Sequence, residues 1–415
     1  MSSDSTVKPL IPNWLDSKFL EGILRNYYKN DGIKLIRFDV RSTASNGESF
    51  MSSMYRAKVD FKLSLEAADG QESTLHLIIK AAIDELKDAL SNFDVYEKEV
   101  EFYDQIAPKI NAKLKDLNEP QLLPECYGVC KEKKIMVIED LSAKGYTTLH
   151  GPNKCNISEA KAILKRIAVF NGIGVVLRED KSDIFANFKS GHLSRDVLVF
   201  VDMYKGLFDA LLDTISSWPE FSSYHEKLSS FRKNLPERWH QALDLNPNHL
   251  NALVHNDLWP PNIMIRGETI SVDAPFENIT FIDFQNTLWG SPAADLHLFL
   301  NMSMCESLMP DRFDELVEFY YSQLVSVLRK LNCKCIIPTW TEFHSQYFDR
   351  KFLAFIASCL EQSVTIDNNG DVEYNDLIVN DERSMKIKRK LYQKPKVQVL
   401  LRKMIPYYVQ IGTFD

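Results

Sequence analysis

The first third of the chain spaces its apolar residues as one amphipathic helix followed by several β-strands. Segment 14–29 places its apolar residues three and four positions apart, the spacing of a helix with one buried face. Apolar segments then predict strands at 33–40, 54–65, 75–81, 122–130 and 135–139, and a second helix at 93–113. This part of the chain therefore predicts a sheet accompanied by a few helices.

From residue 158 onward the apolar positions recur mainly at helical spacing. The predicted helices cover 160–176, 203–216, 220–243, 292–302, 312–331, 339–363 and 396–405. Two short apolar segments, 263–265 and 280–282, predict strands within this helical part. A small β-rich part followed by a larger helical part predicts an α+β fold with two lobes. We place the N-lobe at 1–141 and the C-lobe at 142–415.

Two polar segments of the second part adjoin the short apolar strands. Residues 255–262 read His-Asn-Asp-Leu-Trp-Pro-Pro-Asn, and residues 283–285 read Asp-Phe-Gln. The first segment has the His-x-Asp-Leu-x-x-x-Asn spacing of kinase catalytic loops, with one letter changed. In that pattern Asp257 accepts the proton of the attacking hydroxyl, while Asn262 and Asp283 offer oxygen ligands to Mg²⁺. The two segments together predict a phosphoryl-transfer site.

A lysine at the end of an apolar strand predicts a contact with nucleotide phosphates. Lys80 follows Leu-Ile-Ile in the predicted strand 75–81. A buried ammonium group needs an anionic partner, because an unpaired buried charge is costly. The helix 93–113 offers three glutamates, Glu97, Glu99 and Glu101, and we prefer Glu99.

The remaining nucleotide contacts are less distinctive in the sequence. Gly47 is the one glycine of segment 45–53, which precedes a strand as a phosphate loop would, but which reads equally well as a hairpin turn. Segment 135–141 is apolar and then acidic, and the backbone groups of Glu139 and Leu141 are expected to bind an adenine edge. The chain has no Walker A sequence, so a P-loop enzyme is not predicted.

Composition and charge limit the classes of partner. The 415 residues are 45% hydrophobic and 26% charged, as in an ordinary globular protein. A net charge of −8 without a long basic run argues against nucleic-acid binding. The first residues lack the apolar core of a secretory signal, and no apolar run is long enough to span a bilayer. Seven irregularly spaced cysteines predict free thiols rather than disulfides or a zinc site, so a cytoplasmic location without a membrane partner is expected.

Several motifs in one order resemble the ecdysteroid kinase-like family, also called CHK kinase-like. This family belongs to the superfamily of aminoglycoside phosphotransferases and choline kinases. The resemblance is carried by Glu99-x-x-Phe-Tyr, by residues 137–141 and 253–259, by Asn262-Ile, by residues 282–285, and by Pro-x-x-Asp295-Leu.

The resemblance implies a protein-kinase-like fold, ATP as the phosphoryl donor with Mg²⁺, and transfer to a hydroxyl of a small molecule such as a steroid. It also implies that Asp295 caps a helix and braces the catalytic loop. His255 is expected to orient the loop by hydrogen bonding rather than to take part in the chemistry.

Two departures from the family pattern leave a second hypothesis open. Asn256 stands where the family usually has glycine, and Asn171 stands where it often has histidine. The alternative is a weakly active or inactive kinase-like protein that binds nucleotide or a hydrophobic small molecule. Protein-kinase activity is disfavoured, because Gly290-Ser-Pro and Asp295 follow Asp283 too closely to leave room for a long activation segment.

Overall fold

The structure of the chain, a computed structural model, describes residues 11–43, 52–63, 72–82, 95–149, 155–189, 191, 198–267, 278–367 and 372–415. It divides into two compact units. The first comprises Met1–Pro108 and Leu123–Tyr146, and the second comprises Lys109–Leu122 and Thr147–Asp415.

The first unit is built on an antiparallel sheet. Its elements are α1 (Ser17–Tyr28), β1 (Lys34–Ser42), β2 (Ser52–Lys62), β3 (Glu72–Ala82), α2 (Val95–Glu101), α3 (Ala107–Leu117), β4 (Cys126–Cys130) and β5 (Ile135–Glu139). Helix α3 begins in this unit and continues into the second. The strand order is β1-β2-β3-β5-β4, and each strand pairs antiparallel with its neighbours.

Helix α1 covers one face of this sheet. It begins at an N-cap, Asp16, whose carboxylate accepts the N–H of Phe19 at 2.8 Å. Its buried residues Leu20 and Leu24 join one apolar cluster with the inward-facing residues of β2, β3 and β5. Alternation along each strand thus supplies the apolar face that the helix buries.

The predicted helix 93–113 is interrupted. Helices α2 and α3 are joined by a π-helical segment, Phe102–Ile106, which keeps Phe102, Tyr103 and Ile106 buried. A π-helical turn contains one residue more than an α-helical turn needs, and apolar spacing does not reveal this extra residue. The helix also runs on to Leu117 rather than ending at residue 113.

The second unit is mostly helical. Its elements are β6 (Tyr146–Thr148, which starts in the first unit), α4 (Ile157–Asp180), α5 (Leu198–Ser216), α6 (Ser222–Arg232), α7 (Leu235–Leu243), β7 (Ala252–Val254), β8 (Ile263–Arg266), β9 (Ile279–Phe281), β10 (Leu288–Gly290), α8 (Ala293–Ser303), α9 (Phe313–Lys330), α10 (Trp340–Phe348), α11 (Lys351–Phe355), α12 (Gln362–Thr365), α13 (Tyr374–Ile378), α14 (Glu382–Tyr392) and α15 (Pro395–Gln410). A second π-helical segment, Ile356–Glu361, joins α11 to α12.

Helix α4 lies at the centre of this unit. It starts at a capping box formed by Asn156 and Glu159, and residues on all its sides are buried. It packs against α9 and β7. A Cβ atom at Gly174 would lie 2.4 Å from the Cβ of Leu253 and 2.8 Å from its backbone nitrogen. Glycine is therefore what allows α4 to approach β7, the strand that leads into residues 255–262.

Two further long helices are shorter than predicted. The predicted helix 220–243 is two helices, α6 and α7, and the second starts with Pro236 near its N-terminus. Proline lacks the N–H that a continuous helix would need at that position. The predicted helix 339–363 is divided into α10, α11, the second π-helical segment and α12. Helix α14, rich in charged residues, was not predicted.

The α+β class is confirmed, with a small antiparallel sheet in the N-terminal region and a mostly helical remainder. All seven cysteines are free, as predicted. Within the described ranges, no helix combines the length and apolar character needed to cross a membrane.

Candidate active site

Two loops of the second unit lie side by side because of how their strands pair. Strand β7 ends opposite the start of β10, and β8 starts opposite the end of β9, in antiparallel registers. The β7–β8 loop, residues 255–262, and the β9–β10 loop, residues 282–287, therefore leave the strands at the same place. The backbone N–H of Ile282 donates to the carbonyl of Asn262 at 3.0 Å and ties the two loops together.

Asp257 lies where the loops meet. Its Oδ2 accepts hydrogen bonds from the side-chain amides of Asn262, at 3.1 Å, and Asn286, at 3.2 Å. Desolvation, followed by repulsion from Asp283 and Glu361, raises the pKa of Asp257 to about 8, although part of the side chain reaches solvent. Asp283 follows Ile282, whose N–H is bonded to Asn262, so Asp257 and Asp283 lie in adjoining loops.

Asn262 and Asp283 offer oxygen atoms at this point. The amide nitrogen of Asn262 donates to the backbone carbonyl and to the carboxylate of Asp257, which leaves its Oδ1 for another group. Asp283 adopts a left-handed backbone, with φ of 67° and ψ of 67°, a conformation that is costly for a residue other than glycine. Such strain often accompanies a functional constraint.

The donor set fits Mg²⁺. Hard divalent cations prefer carboxylate and amide oxygens, and Asp283 and Asn262 provide one of each. Asn286 also carries a buried Oδ1 that accepts no hydrogen bond within the described part of the chain. Asn262 and Asp283 are the residues that would hold the ion.

Asp295, at the start of α8, holds the β7–β8 loop in place. Its side chain is fully buried, and its two carboxylate oxygens accept the backbone N–H groups of His255, at 3.1 Å, and Asn256, at 2.7 Å. Burial raises the pKa of Asp295 to about 6, against the opposing effect of these hydrogen bonds. This geometry agrees with the bracing role that the resemblance implies for Asp295.

His255 and Asn256 shape the loop from within. The Nε2 atom of His255 lies 2.9 Å from the carbonyl oxygen of Ile282, which links the two loops again. Burial lowers the pKa of His255 to about 4, so the imidazole is neutral near pH 7. Asn256 has a φ of 60°, the left-handed region that glycine would adopt freely and that asparagine tolerates better than most residues.

Asn171 extends the bracing into the core. From α4, its amide donates to the carbonyl of Leu253, at 2.9 Å, and to Asp295, at 3.0 Å. Its oxygen accepts the hydroxyl of Tyr320 on α9 at 2.7 Å. The neutral amide of Asn171 therefore has both its nitrogen and its oxygen hydrogen-bonded.

The first unit contains the predicted lysine and its partner. Lys80 and Glu99 are 8% and 1% exposed, and the Nζ of Lys80 lies 2.6 Å from the Oε2 of Glu99. Of the two neighbouring glutamates on α2, Glu97 instead pairs with Lys134 at 2.9 Å.

Segment 135–141, which is predicted to bind an adenine edge, forms backbone hydrogen bonds of its own. The N–H of Glu139 donates to the carbonyl of Glu125 at 2.8 Å, and the N–H of Asp140 donates to that of His76 at 2.9 Å. The backbone N–H groups of Glu139 and Asp140 are therefore already hydrogen-bonded within the protein. Leu141 begins a single 3₁₀ turn that directly follows. Gly47 lies outside the described residues.

Sequence reasoning missed two residues of this site. Asn286 bonds directly to Asp257, and Tyr320 bonds to Asn171. The available signal for Asn286 was a polar run, 285–287, between two apolar strands, but a polar run gives no indication that its amide is buried. Tyr320 reads as one apolar position of a helical stripe and as one of several aromatic residues that could line an acceptor pocket, and neither interpretation indicates its bond to Asn171.

No curated protein matched the chain. Among solved structures, macrolide 2′-phosphotransferase type I is 13% identical, with a TM-score of 0.40, over 92% of this chain and 97% of that one. Choline kinase from Streptococcus pneumoniae is 14% identical, with a TM-score of 0.42, over 91% and 99%. The GDP complex of wild-type aminoglycoside 2′-phosphotransferase-IIIa is 12% identical, with a TM-score of 0.41, over 92% and 99%. Similarity this low supports no argument about function.

The family comparison is more specific. Residues 46–333 match the ecdysteroid kinase-like family, and that span is more than half of the chain. It contains both loops of the site, together with Lys80, Glu99 and Asp295. The resemblance carried by the sequence motifs is thereby confirmed, and the chain belongs to the ecdysteroid kinase-like family.

Proposed function

We propose that this protein is an ATP-dependent small-molecule kinase that phosphorylates a hydroxyl group of an apolar or steroid-like acceptor. The observation that carries the proposal is the meeting of Asp257, Asn262 and Asp283 in two adjoining loops braced by a buried carboxylate. Family membership supports the same class of reaction. The partner would be a small molecule in the cytoplasm, rather than a nucleic acid or a membrane.

In this proposal Asp257 orients the acceptor hydroxyl and takes its proton. The hydroxyl oxygen forms a bond to the γ-phosphorus, the bond from that phosphorus to the bridging oxygen breaks, and ADP leaves. Asn286 and Asn262 hold the carboxylate of Asp257 in one orientation through their amide nitrogens. Mg²⁺, when bound by Asn262 and Asp283, would neutralise charge on the phosphates.

The first unit would bind the nucleotide. Lys80, oriented by Glu99, would contact the phosphates, and the backbone of Glu139 and Leu141 would meet the adenine edge. Gly47 belongs to the segment that would cover the phosphates. Each of these roles is an extension of the family pattern to residues at matching positions.

The two departures from the family pattern do not favour the alternative of an inactive binding protein. The backbone of Asn256 and the side chain of Asn171 both donate to Asp295, so both residues help to hold the loop.

A direct assay tests the proposal. The purified protein is incubated with ATP, Mg²⁺ and a pool of hydroxylated steroids and lipids, and products are sought by mass spectrometry as a gain of one phosphate. We expect a phosphorylated product from the wild type and at least a 1,000-fold lower rate, on the order expected for loss of a base or a metal ligand, from Asp257→Asn and Asp283→Asn.

The control is Asp311→Asn, which removes an exposed carboxylate by the same chemical change. Equal product from Asp257→Asn and the wild type would overturn the assignment. Nucleotide binding by the wild type without any product would favour the binding protein instead.

A further inference from the structure

A recess lies next to the catalytic loop in the second unit. Its lining comes from that loop, from α8, from α11 and from the second π-helical segment, and comprises Asn256, Ala294, Leu298, Leu353, Ile356, Ala357 and Glu361. Asn256 directly precedes Asp257, so the recess opens beside the proposed base. Among the described residues that line it, none is aromatic and none but Glu361 is charged.

Glu361 is an unusual residue for such a lining. It ends the π-helical segment Ile356–Glu361, and single π-helical turns are found disproportionately at functional sites. Its Oε1 accepts the hydroxyl of Tyr204 on α5, whereas its Oε2 has no hydrogen-bond partner in the described part of the chain. Desolvation raises the pKa of Glu361, and its charge contributes to the raised pKa of Asp257.

The proposed transfer reaction does not require this carboxyl group. Asp257 takes the proton, and Asn262 and Asp283 serve the metal. Glu361 also lies outside the part of the chain that matches the family, residues 46–333. The side chain of Glu361 is half-buried, and Tyr204 is bonded to only one of its two oxygens, so Oε2 can accept a further hydrogen bond.

We infer that Glu361 is a positioning residue for the acceptor: its Oε2 accepts a hydrogen bond from a second hydroxyl of the molecule whose first hydroxyl faces Asp257. The recess has a volume of about 20 Å³, so it would take this hydroxyl group and its immediate neighbours rather than the whole apolar body of the acceptor. This inference rests on the proposed function for the identity of the ligand as an acceptor. An ammonium group fits less well, since the described lining offers it neither an aromatic face nor a second carboxylate.

Equilibrium binding tests this inference without any need for phosphoryl transfer. The probes are ecdysone, which has several hydroxyl groups, and pregnenolone, which has one. Dissociation constants are measured without ATP for the wild type, Glu361→Leu, Glu361→Gln and Tyr204→Phe. Thermal unfolding shows whether each variant is folded.

Loss of a hydrogen bond to a charged group predicts that Glu361→Leu binds ecdysone about 10-fold to 100-fold more weakly. Pregnenolone affinity should change little, because this steroid lacks the second hydroxyl. Glu361→Gln keeps the shape and one acceptor oxygen, so its loss should be smaller. Tyr204→Phe leaves Oε2 in place and should retain the preference for ecdysone.

Two results would overturn the inference. One is a Glu361→Leu variant that keeps the preference of the wild type for ecdysone, whether or not both steroids bind more weakly. The other is failure of the wild type to bind either steroid. Equal weakening by Glu361→Leu and Tyr204→Phe of both probes would show that the pair only holds α5 to the π-helical segment. The transfer assay is separate, so binding with no phosphorylated product would count against the proposed function and leave the role of Glu361 standing.

Discussion

The ion pair between Lys80 and Glu99 illustrates how much one buried pair of charges can contribute to stability. Both side chains are almost entirely buried, and the two charges are 2.6 Å apart. Burial of a charge is costly, and the pair offsets this cost only while both partners remain. The sequence predicted the lysine from its place at a strand end, but three glutamates competed as its partner until the fold selected one.

We predict that Lys80→Met destabilises the protein by about 3–5 kcal/mol, because Glu99 stays buried after losing this partner. The double variant Lys80→Met/Glu99→Met should recover most of that loss, since it removes both charges. Urea unfolding measures the free energies.

The matched control is Lys134→Met, which removes the partner of Glu97 on the same helix. The side chain of Glu97 is 62% exposed, so water can solvate its charge and the cost should be small. Similar costs for Lys80→Met and Lys134→Met would contradict the prediction.

Asn256 shows a residue property that the sequence did allow to be predicted. Its place in a position usually held by glycine pointed to an unusual backbone angle, and the observed φ is 60°. The left-handed backbone of Asp283 was not predicted. An aspartate after an apolar strand reads as a simple strand end, and only the packing of the loop sets its angles.

At the scale of elements, the approach of α4 to β7 fixes where the catalytic loop begins. Gly174 and Gly172 lie two residues apart on α4 but face different neighbours. A Cβ at Gly174 would collide with the backbone of Leu253, whereas one at Gly172 would lie 2.7 Å from a side-chain carbon of Val327. Backbone cannot move aside as easily as a methyl group can.

We predict that Gly174→Ala destabilises the protein by about 1–3 kcal/mol, the usual cost of overpacking, and lowers kcat by displacing residues 255–262. Gly172→Ala should be close to neutral, because alanine also favours the helix by about 1 kcal/mol. Thermal unfolding and the transfer assay measure the two effects. A larger loss in Gly172→Ala than in Gly174→Ala would show that β7 does not set this limit.

Element predictions succeeded where a short segment had one clear pattern. Strand β5 was predicted at 135–139 and has these bounds. They failed where one continuous apolar stripe covered several elements, as in 339–363. A π-helical segment preserves the buried face while it adds a residue, so the stripe persists across the break.

At the scale of the whole molecule, the order of the motifs along the chain could be predicted. The hydrogen bonds that hold the loops in place could not. Asp257, Asn262 and Asp283 were identified from their spacing along the chain. The network that holds them joins Asp295 to Asn171 and Tyr320, which are far apart in sequence. Hydrogen bonds between such distant positions depend on how the helices pack, and helix packing cannot be inferred directly from a single sequence.

This network makes stability depend on pH. The pKa of Asp295 is about 6 in the folded protein, compared with the ordinary value of 3.8 expected in the unfolded chain, so the folded protein binds the proton more tightly. The stability that this proton contributes is fully present below about pH 4 and is lost as pH rises through 6. A shift of this size corresponds to about 3 kcal/mol.

We predict that Asp295→Asn is less stable than the wild type, because one oxygen acceptor is replaced by an amide nitrogen. The difference in unfolding temperature should be largest near pH 4 and should shrink toward pH 7, as the wild type loses the contribution of the bound proton. Asp311→Asn, at an exposed position, serves as the control and should follow the wild type at every pH. Parallel curves for Asp295→Asn and the wild type would exclude this origin of pH dependence.

The π-helical segment Ile356–Glu361 has a consequence for how such proteins could diversify. In our proposals, the groups that move the phosphate come from two short loops, whereas much of the wall that meets the acceptor comes from a different stretch of chain. Substitutions between residues 353 and 361 could then change which molecule is accepted while the machinery of transfer stays intact. One fold could in this way give rise to enzymes that catalyse the same reaction on different acceptors.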